Sequence, residues 1–336
     1  MLLFTGFELW DNSVPGWVDL RFAAEDNTDA AVELIAQATD RIYIGLDRRF
    51  DGVLFQLAVA GSYTAITFQY YAGDGTTNVW TNLPLVRAYT FSGNGGVIRF
   101  RIPAAWTITV LNVATTGQAN ATGLATDDTT GGTAKYWIRM VVTGVTTATT
   151  LNRAIPFPEY SYTTPNIVRR FMQLPSTFFT TTTQPSTQDV IDTIRRVESQ
   201  VDKYTQKAWK PTYDPSPDCE SGELYEFSRY GVSIDHFPVI HLVSVEIWNG
   251  SEFEIMVSGR ASDYFMDQSI GFIAFTRLIS IPFTYTRSAI YTWGFGDFKR
   301  AVRVNYIWGR DLDFDRYGPM VTRIASQLTS IDLIRS

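Results

Sequence analysis

Two histidines, one cysteine and a few paired carboxylates are the groups in this sequence from which catalytic or metal chemistry could be built. His236 and His241 flank the start of an apolar strand, and no serine sits on the glycine-flanked turn that would present it as a nucleophile. They read as structural histidines. Cys219 stands alone, so it can form no intrachain disulfide and reads as a core thiol or a bystander, and no Cys/His cluster has the spacing of a metal site. Asp311, Asp313 and Asp315 alternate as in a calcium loop but lack the glycine that follows and the distal glutamate, so a solvated turn is expected, with an adventitious cation as the alternative. Asp47 with Asp51, and Asp127 with Asp128, are pairs in turns without an acid or base partner. Gly294-Phe295-Gly296 lacks the lysine and helix of a phosphate loop. No catalytic residue, metal or cofactor is expected, and the chain is read as not an enzyme.

The remaining candidates are aromatic. Trp80, Trp106 and Trp137 could line a sugar-binding face, because such rings supply the apolar platform for these ligands, or they could fill a core. In Tyr136-Trp137-Ile138-Arg139-Met140 a strand would put Trp137 and Arg139 on one face and Tyr136 and Ile138 on the other, so not every ring is free to bind. A net charge of -6 argues against an electrostatic grip on nucleic acid, which depends on Lys and Arg neutralising phosphates. The opening MLLFTGFELWDNS lacks a basic region and meets Glu8 and Asp11 at once, so neither a signal peptide nor a membrane span is expected, and the chain should be cytosolic when made.

The elements that must position these groups are mainly β. With 336 residues, 45% of them hydrophobic, the chain is long enough for two cores, and its many aromatics and threonines favour pleated surfaces. From Phe4 to about Val145, short alternating runs such as RIYIGLDRRF, GVLFQLAVA and GGVIRFRI are separated by turns such as Gly73-Asp74-Gly75, which predicts a β-sandwich of jelly-roll type over residues 1–155. Ala30, Ala31, Leu34 and Ile35 could form a helical turn, or the segment could be a β excursion. The small polar stretch between Thr115 and Thr133 should be an exposed loop, and its Asn120-Ala121-Thr122 sequon reads as chance. The Pro- and Thr-rich segment 146–163 should be the linker.

Residues 160–336 predict an α+β domain of a few helices and a small antiparallel sheet. Thr164 can cap and Pro165 begin a short helix with Ile167, Val168 and Phe171 as its apolar face. The segment 186–189 then starts a longer helix whose stripe is Val190, Ile194, Val197, Val201, Tyr204 and Ala208, ended by Pro211. A hairpin turning at Asn249-Gly250, strands at GFIAF, AIYTW and AVRVNYIWG, and a last helix from Pro319 with Val321, Ile324, Ala325, Leu328 and Ile331 on one face complete the pattern.

This ordered set resembles the head-to-tail connector (adaptor) proteins of tailed bacteriophages. The resemblance rests on TTPNIVRRFMQLP, on DVIDTIRRVESQVDKYTQKAW, on FPVIHLVSVEIW, and on VRVNYIWG followed by PMVTRIASQL, and it covers about residues 160 to 336. It implies a structural virion protein of the neck, assembled in the host cytoplasm as a homo-oligomeric ring of twelve beneath the portal. Such a ring joins head to tail, meets the portal protein and a tail, stopper or completion protein, and continues the channel through which double-stranded DNA passes without tight binding. No membrane is involved. Position by position, the resemblance assigns portal docking to Met320, Arg323, Ile324, Leu328, Ile331, Leu333, Ile334 and Arg335. Lys203, Lys207 and Lys210, at the end of the long helix, are candidates for the channel wall, with a solvated face as the other reading. The chain departs from compact adaptors in its extra β domain and in the length of residues 212–300. The alternative function is a virion-attached module that binds carbohydrate or a host surface through the β domain and is anchored by the C-terminal half.

Overall fold

The computed structural model describes residues 6–11, 16–21, 32–72, 79–93, 95–109, 112–113, 119–120, 134–180, 182–213, 223–226, 231–248, 252–276, 301–310, 312 and 315–335. Two compact units emerge, one of residues 1–196 with 326–336 and the other of residues 197–325. The expected features at Asp127-Asp128, Cys219, Asn249-Gly250, AIYTW and Gly294–Gly296, together with Asp311 and Asp313, lie outside the described residues.

In the first unit the alternating runs form strands β1 (Gly6–Asp11), β2 (Gly16–Asp19), β3 (Val32–Ile35), β4 (Arg41–Leu46), β5 (Phe50–Val59), β6 (Ser62–Tyr71), β7 (Trp80–Asn82), β8 (Leu85–Arg87), β9 (Gly95–Phe100), β10 (Ile108–Thr109), β11 (Asn112–Val113), β12 (Ala119–Asn120), β13 (Lys135–Thr147) and β14 (Thr149–Pro158). One sheet runs β2-β1-β4-β13-β6-β7, with β10 also on β13, and a second runs β3-β14-β5-β9-β8. All these pairings are antiparallel. Between the sheets, Phe7, Ile42, Ile44, Phe68, Ile138 and Met140 from the first interlock with Val53, Phe55, Ile98 and Leu151 from the second. Period-two alternation sends these side chains to one face of each sheet, and burying that face is what drives the two sheets together. The predicted sandwich is present.

Two local readings change. Residues 32–35 are strand, so the β excursion, not the helical turn, is the outcome, and Leu34 and Ile35 are wholly buried. Segment 146–163, expected as a linker, contains β14, which pairs with β5 on one side and β3 on the other. Its prolines misled because they sit where strand pairing tolerates a missing N–H: the register shifts between Pro156 and Pro158.

The helices follow their caps. Helix α1 (Pro165–Phe171) starts at Thr164, whose hydroxyl accepts from the Ile167 N–H at 3.2 Å. Only Val168 of its expected apolar face is buried; Ile167 and Phe171 are exposed. Helix α2 (Thr187–Thr205) begins with a reciprocal box, in which the Asp189 carboxylate accepts from the Ser186 N–H at 2.8 Å and the Ser186 hydroxyl accepts from the Asp189 N–H at 3.3 Å. The Ser186 hydroxyl, which also donates to that carboxylate at 2.8 Å, and then the Ser186 N–H hold the Asp189 carboxyl below the usual aspartate range. Val190, Ile194, Val197 and Val201 form the predicted buried stripe, but the helix ends at Thr205 and Tyr204 is 85% exposed, so the stripe stops one turn early.

Helix α3 (Gly318–Arg335) buries part of the expected face and, beside it, a stripe of small polar side chains. Val321, Ala325, Ser326, Thr329 and Ser330 are buried, whereas Ile324 and Leu328 are half-buried and Ile331 is exposed. Small side chains spaced four apart allow close approach, and the hydroxyls find partners: Ser326 meets Thr163 at 2.8 Å and Ser330 donates to the Ser326 carbonyl. Within the first unit, Tyr160, Val168, Phe179, Val190 and Ile194 form a separate small core, with Leu333 packed on it.

In the second unit β15 (Glu223–Tyr225), β21 (Val302–Trp308), β17 (Val239–Trp248) and β18 (Phe253–Ile255) make one antiparallel sheet. A smaller sheet is formed by β16 (Val232–Ser233), β20 (Phe272–Phe275) and β19 (Tyr264–Asp267). Val245, Ile247, Val302, Val304 and Ile273 build the shared core. The hairpin expected around 249 is carried by β17 and β18, with Trp248 opposite Phe253. Among the described residues no helix is long and apolar enough to cross a membrane.

Candidate functional site

The outward face of the larger sandwich sheet brings together the residues with the most capacity for ligand chemistry. Strand register aligns Asp19, Glu8, Tyr43, Arg139, Gln69 and Asn82 in one row across β2, β1, β4, β13, β6 and β7. The next row sets Gly6 and Gly45 beside Trp137, with Tyr71 opposite Trp80 at the other edge. Alternation explains the placement, since the residues between these positions point into the core.

Trp137 lies over two glycines. A Cβ on Gly45 would stand 2.7 Å from its ring, and one on Gly6 would stand 2.4 Å away, so the ring occupies space that a side chain at either position would fill. The Lys135 ammonium lies 5.4 Å from the Trp137 ring centroid. Trp80 is half-buried and meets Tyr43 edge-on at 5.6 Å and Tyr71 edge-on at 5.4 Å. Its indole N–H is buried and has no hydrogen-bond partner among the described residues.

Over Trp80 sits the Arg139 guanidinium, 4.5 Å from the ring centroid. Its Nε donates to Gln69 Oε1 at 2.8 Å, and Gln69 Nε2 donates in turn to Asn82 Oδ1 at 3.1 Å. Burial lowers the Arg139 pKa, an effect opposed by the Tyr43 phenol and reinforced by the charge of Arg41. Asn82, Ala65 and Thr143 are exposed around this cluster. The arrangement is an aromatic layer in which Tyr43, Tyr71 and Trp137 are buried and Trp80 is half-buried, with the planar polar groups of Arg139, Gln69 and Asn82 fixed beside it.

The three tryptophans singled out by sequence therefore divide. Trp106 is core: it is 2% exposed, is ringed by Phe50, Tyr70, Phe100 and Tyr136, and donates from Nε1 to the Trp137 carbonyl at 3.1 Å. Trp137 points to the opposite side of its sheet but is just as buried, at 1% exposed, and of the three Trp80 alone is partly accessible. Tyr43, Tyr71, Gln69 and Asn82 were not singled out, because their grouping depends on pairing between distant strands; the local signal was the polar phase of each alternating run.

In the second unit His236 stacks on Trp308 at 4.3 Å, and its Nδ1 lies 3.1 Å from the Tyr306 hydroxyl and 3.4 Å from Glu223 Oε1. Tyr306 and Tyr225 both donate to Glu223. Burial, followed by the Glu223 hydrogen bond, raises both phenols well above their ordinary range. His236, Tyr306, Tyr225 and Glu223 thus bond to one another, while the Trp308 indole N–H is buried without a partner among the described residues.

Lys203 and Lys207 are exposed, whereas Lys210 is half-buried with its Nζ 2.7 Å from Glu198 Oε2, so the three do not form one basic patch. Of the docking candidates, Met320, Arg323, Ile331, Ile334 and Arg335 are exposed, Ile324 and Leu328 are half-buried, and Leu333 packs on the small core of the first unit. Asp47 pairs with Arg48, Asp51 with Arg99, and Asp315 with Arg310. No group of His, Cys, Asp and Glu among the described residues is arranged to hold a metal.

No family model matches the chain, and no curated protein matches it. Two solved structures are similar in part. One is chitosan-binding module 1 derived from a chitosanase/glucanase of Paenibacillus sp. IK-5, at 18% identity over 38% of this chain and 74% of that one. The other is a labelled mutant of the same module, at 14% identity over 40% of this chain and 98% of that one. Each has a TM-score of 0.20, a likeness too slight to bear on ligand or mechanism.

Proposed function

We propose that the N-terminal sandwich is a carbohydrate-binding module whose contact surface is the outward face around Trp80 and Arg139. The observation that carries this reading is the fixed array in which Arg139, Gln69 and Asn82 lie in register across three strands beside a half-buried indole. Sugars present apolar C–H faces to aromatic rings and hydroxyls to planar donors and acceptors, and this surface offers both. Holding the polar groups in advance reduces the entropy lost on binding.

A panel of soluble oligosaccharides tested by calorimetry should yield ligands whose binding falls on Trp80→Ala by about 30-fold or more, the size of a 2 kcal/mol hot spot. A bound glycan that ignores this substitution places the contact surface elsewhere.

A second reading joins this module to a head-to-tail adaptor. It is supported by the order α1, α2, the β17–β18 pair, β21 and α3, and by Met320, Ile331 and Ile334, which leave 60%, 44% and 74% of their surface uncovered on the last helix. In this reading the chain forms a ring beneath a portal, docks through Met320 to Arg335, and displays the sandwich to a glycan on the virion or host. Electron micrographs of the full chain mixed with portal rings should show added density on the portal face, and Ile331→Asp with Ile334→Asp should abolish it. A chain that stays monomeric and ignores portal overturns the adaptor reading and leaves the glycan reading intact.

A further inference from the structure

Arg139 carries a charge that the described part of the sandwich leaves without a counter-ion. Its contacts are the Gln69 amide, the Tyr43 phenol and the Trp80 ring, and no carboxylate of the described residues pairs with it. The neighbouring Arg41, bonded to the carbonyls of Ala38 and Asp40, adds like charge beside it. Glu8 lies in the same row but on β1, with the whole of β4 between it and β13. By contrast, Arg99 of the same sandwich has a carboxylate partner in Asp51 at 2.6 Å, and Arg195 has one in Glu159 at 3.2 Å. Placing a guanidinium half-buried among an amide, a phenol and an indole costs solvation that these neutral partners only partly return. An anion arriving with the ligand would complete the set, in the fork geometry that guanidinium and carboxylate or sulfate share.

We infer that the face selects acidic glycans, with Arg139 receiving a carboxylate or sulfate substituent while Trp80 takes the apolar side of the same or the adjoining sugar ring. This rests on the carbohydrate-binding reading and adds the class of ligand to it. Gln69 and Asn82 act as positioning residues, since the chain from Asn82 through Gln69 to Arg139 Nε fixes the plane of the guanidinium.

The test measures calorimetric binding of the full chain to a hexagalacturonate, to its methyl ester, to a sulfated galactan oligosaccharide and to neutral hexasaccharides of glucose and galactose. The acid should bind about tenfold or more tightly than its ester, or the sulfated oligosaccharide than the neutral galactan, the size expected for a charge-assisted bond. Whichever pair shows the preference identifies the anion. Arg139→Gln should erase that ratio while leaving the melting transition in place, and Arg139→Lys should keep part of it. Equal binding of charged and neutral partners by the unaltered chain overturns the inference without needing any variant. A ratio unchanged in Arg139→Gln also overturns it. Trp80-dependent binding of neutral sugars alone would leave the module reading standing and this inference refuted, whereas no binding of any glycan would refute both.

Discussion

Replacing Trp106 with alanine should destabilise the sandwich by about 3–5 kcal/mol, the range for removing a large aromatic from a packed core. The ring is almost fully enclosed by Phe50, Tyr70, Phe100 and Tyr136, at centroid distances of 5.0 Å, 6.4 Å, 5.9 Å and 5.7 Å. Its Nε1 also satisfies the Trp137 carbonyl, a main-chain group that the variant leaves exposed to a cavity. Since Trp137 lies under the proposed glycan surface, the same substitution should loosen that surface from beneath. Trp80→Ala should behave in the opposite way, with a small change in denaturation midpoint and a large loss of ligand. Chemical denaturation of both variants checks the pair. A Trp106→Ala protein within about 1 kcal/mol of the parent would mean that the two sheets do not share the core described, because loss of an aromatic there is among the few changes expected to be severe.

The second large effect concerns Lys210. Glu198 has only 1% of its side chain exposed and Lys210 lies against it, so Lys210→Met takes a cation away from a buried carboxylate, a change that costs about 3–5 kcal/mol where a buried pair is broken from one side. Changing Glu198 to methionine as well should recover much of the loss, since an apolar pair of similar volume often replaces a buried ion pair without penalty. Exposed Lys203 and Lys207 should tolerate glutamine with little change in stability. A double-mutant cycle by urea unfolding reads the coupling, and a Lys210→Met chain as stable as the parent would return Lys210 to the set of free surface cations. The distinction matters for the adaptor reading. Lys203 and Lys207 are the positions at which a channel charge can be tested without disturbing the fold.

Much of the architecture follows from local pattern. Alternation in VIRFRI and YWIRM placed the inward and outward residues of β9 and β13 correctly, because a period of two is fixed by the pleat and needs no partner to be read. The starts of α1 and α2 were equally legible, since Thr164 and Ser186 satisfy backbone N–H groups within three residues of themselves. What failed were readings that depended on something distant. The prolines of 156 and 158 suggested a linker, yet β5 and β3 hold that segment in a sheet. Of the stripe that the sequence marks on helix α3, Val321 and Ala325 are buried, Ile324 and Leu328 are half-buried and Ile331 is exposed; burial extends instead to Ser326, Thr329 and Ser330, small side chains that admit a nearer neighbour.

The candidate site shows the same division in sharper form. That the first half is an antiparallel sandwich, and that Trp137 and Arg139 share a face, could be read from local alternation. Pairing between distant strands put Trp106 in the core and left Trp80 half-exposed. It likewise put Arg139 beside Gln69 and Asn82, although those residues are separated by 70 and 13 positions along the two links of the chain. The reason is physical: which face of a strand a residue occupies is set by its own backbone, whereas which residues meet on that face is set by register between strands, and register is fixed only when the whole buried side closes on its core.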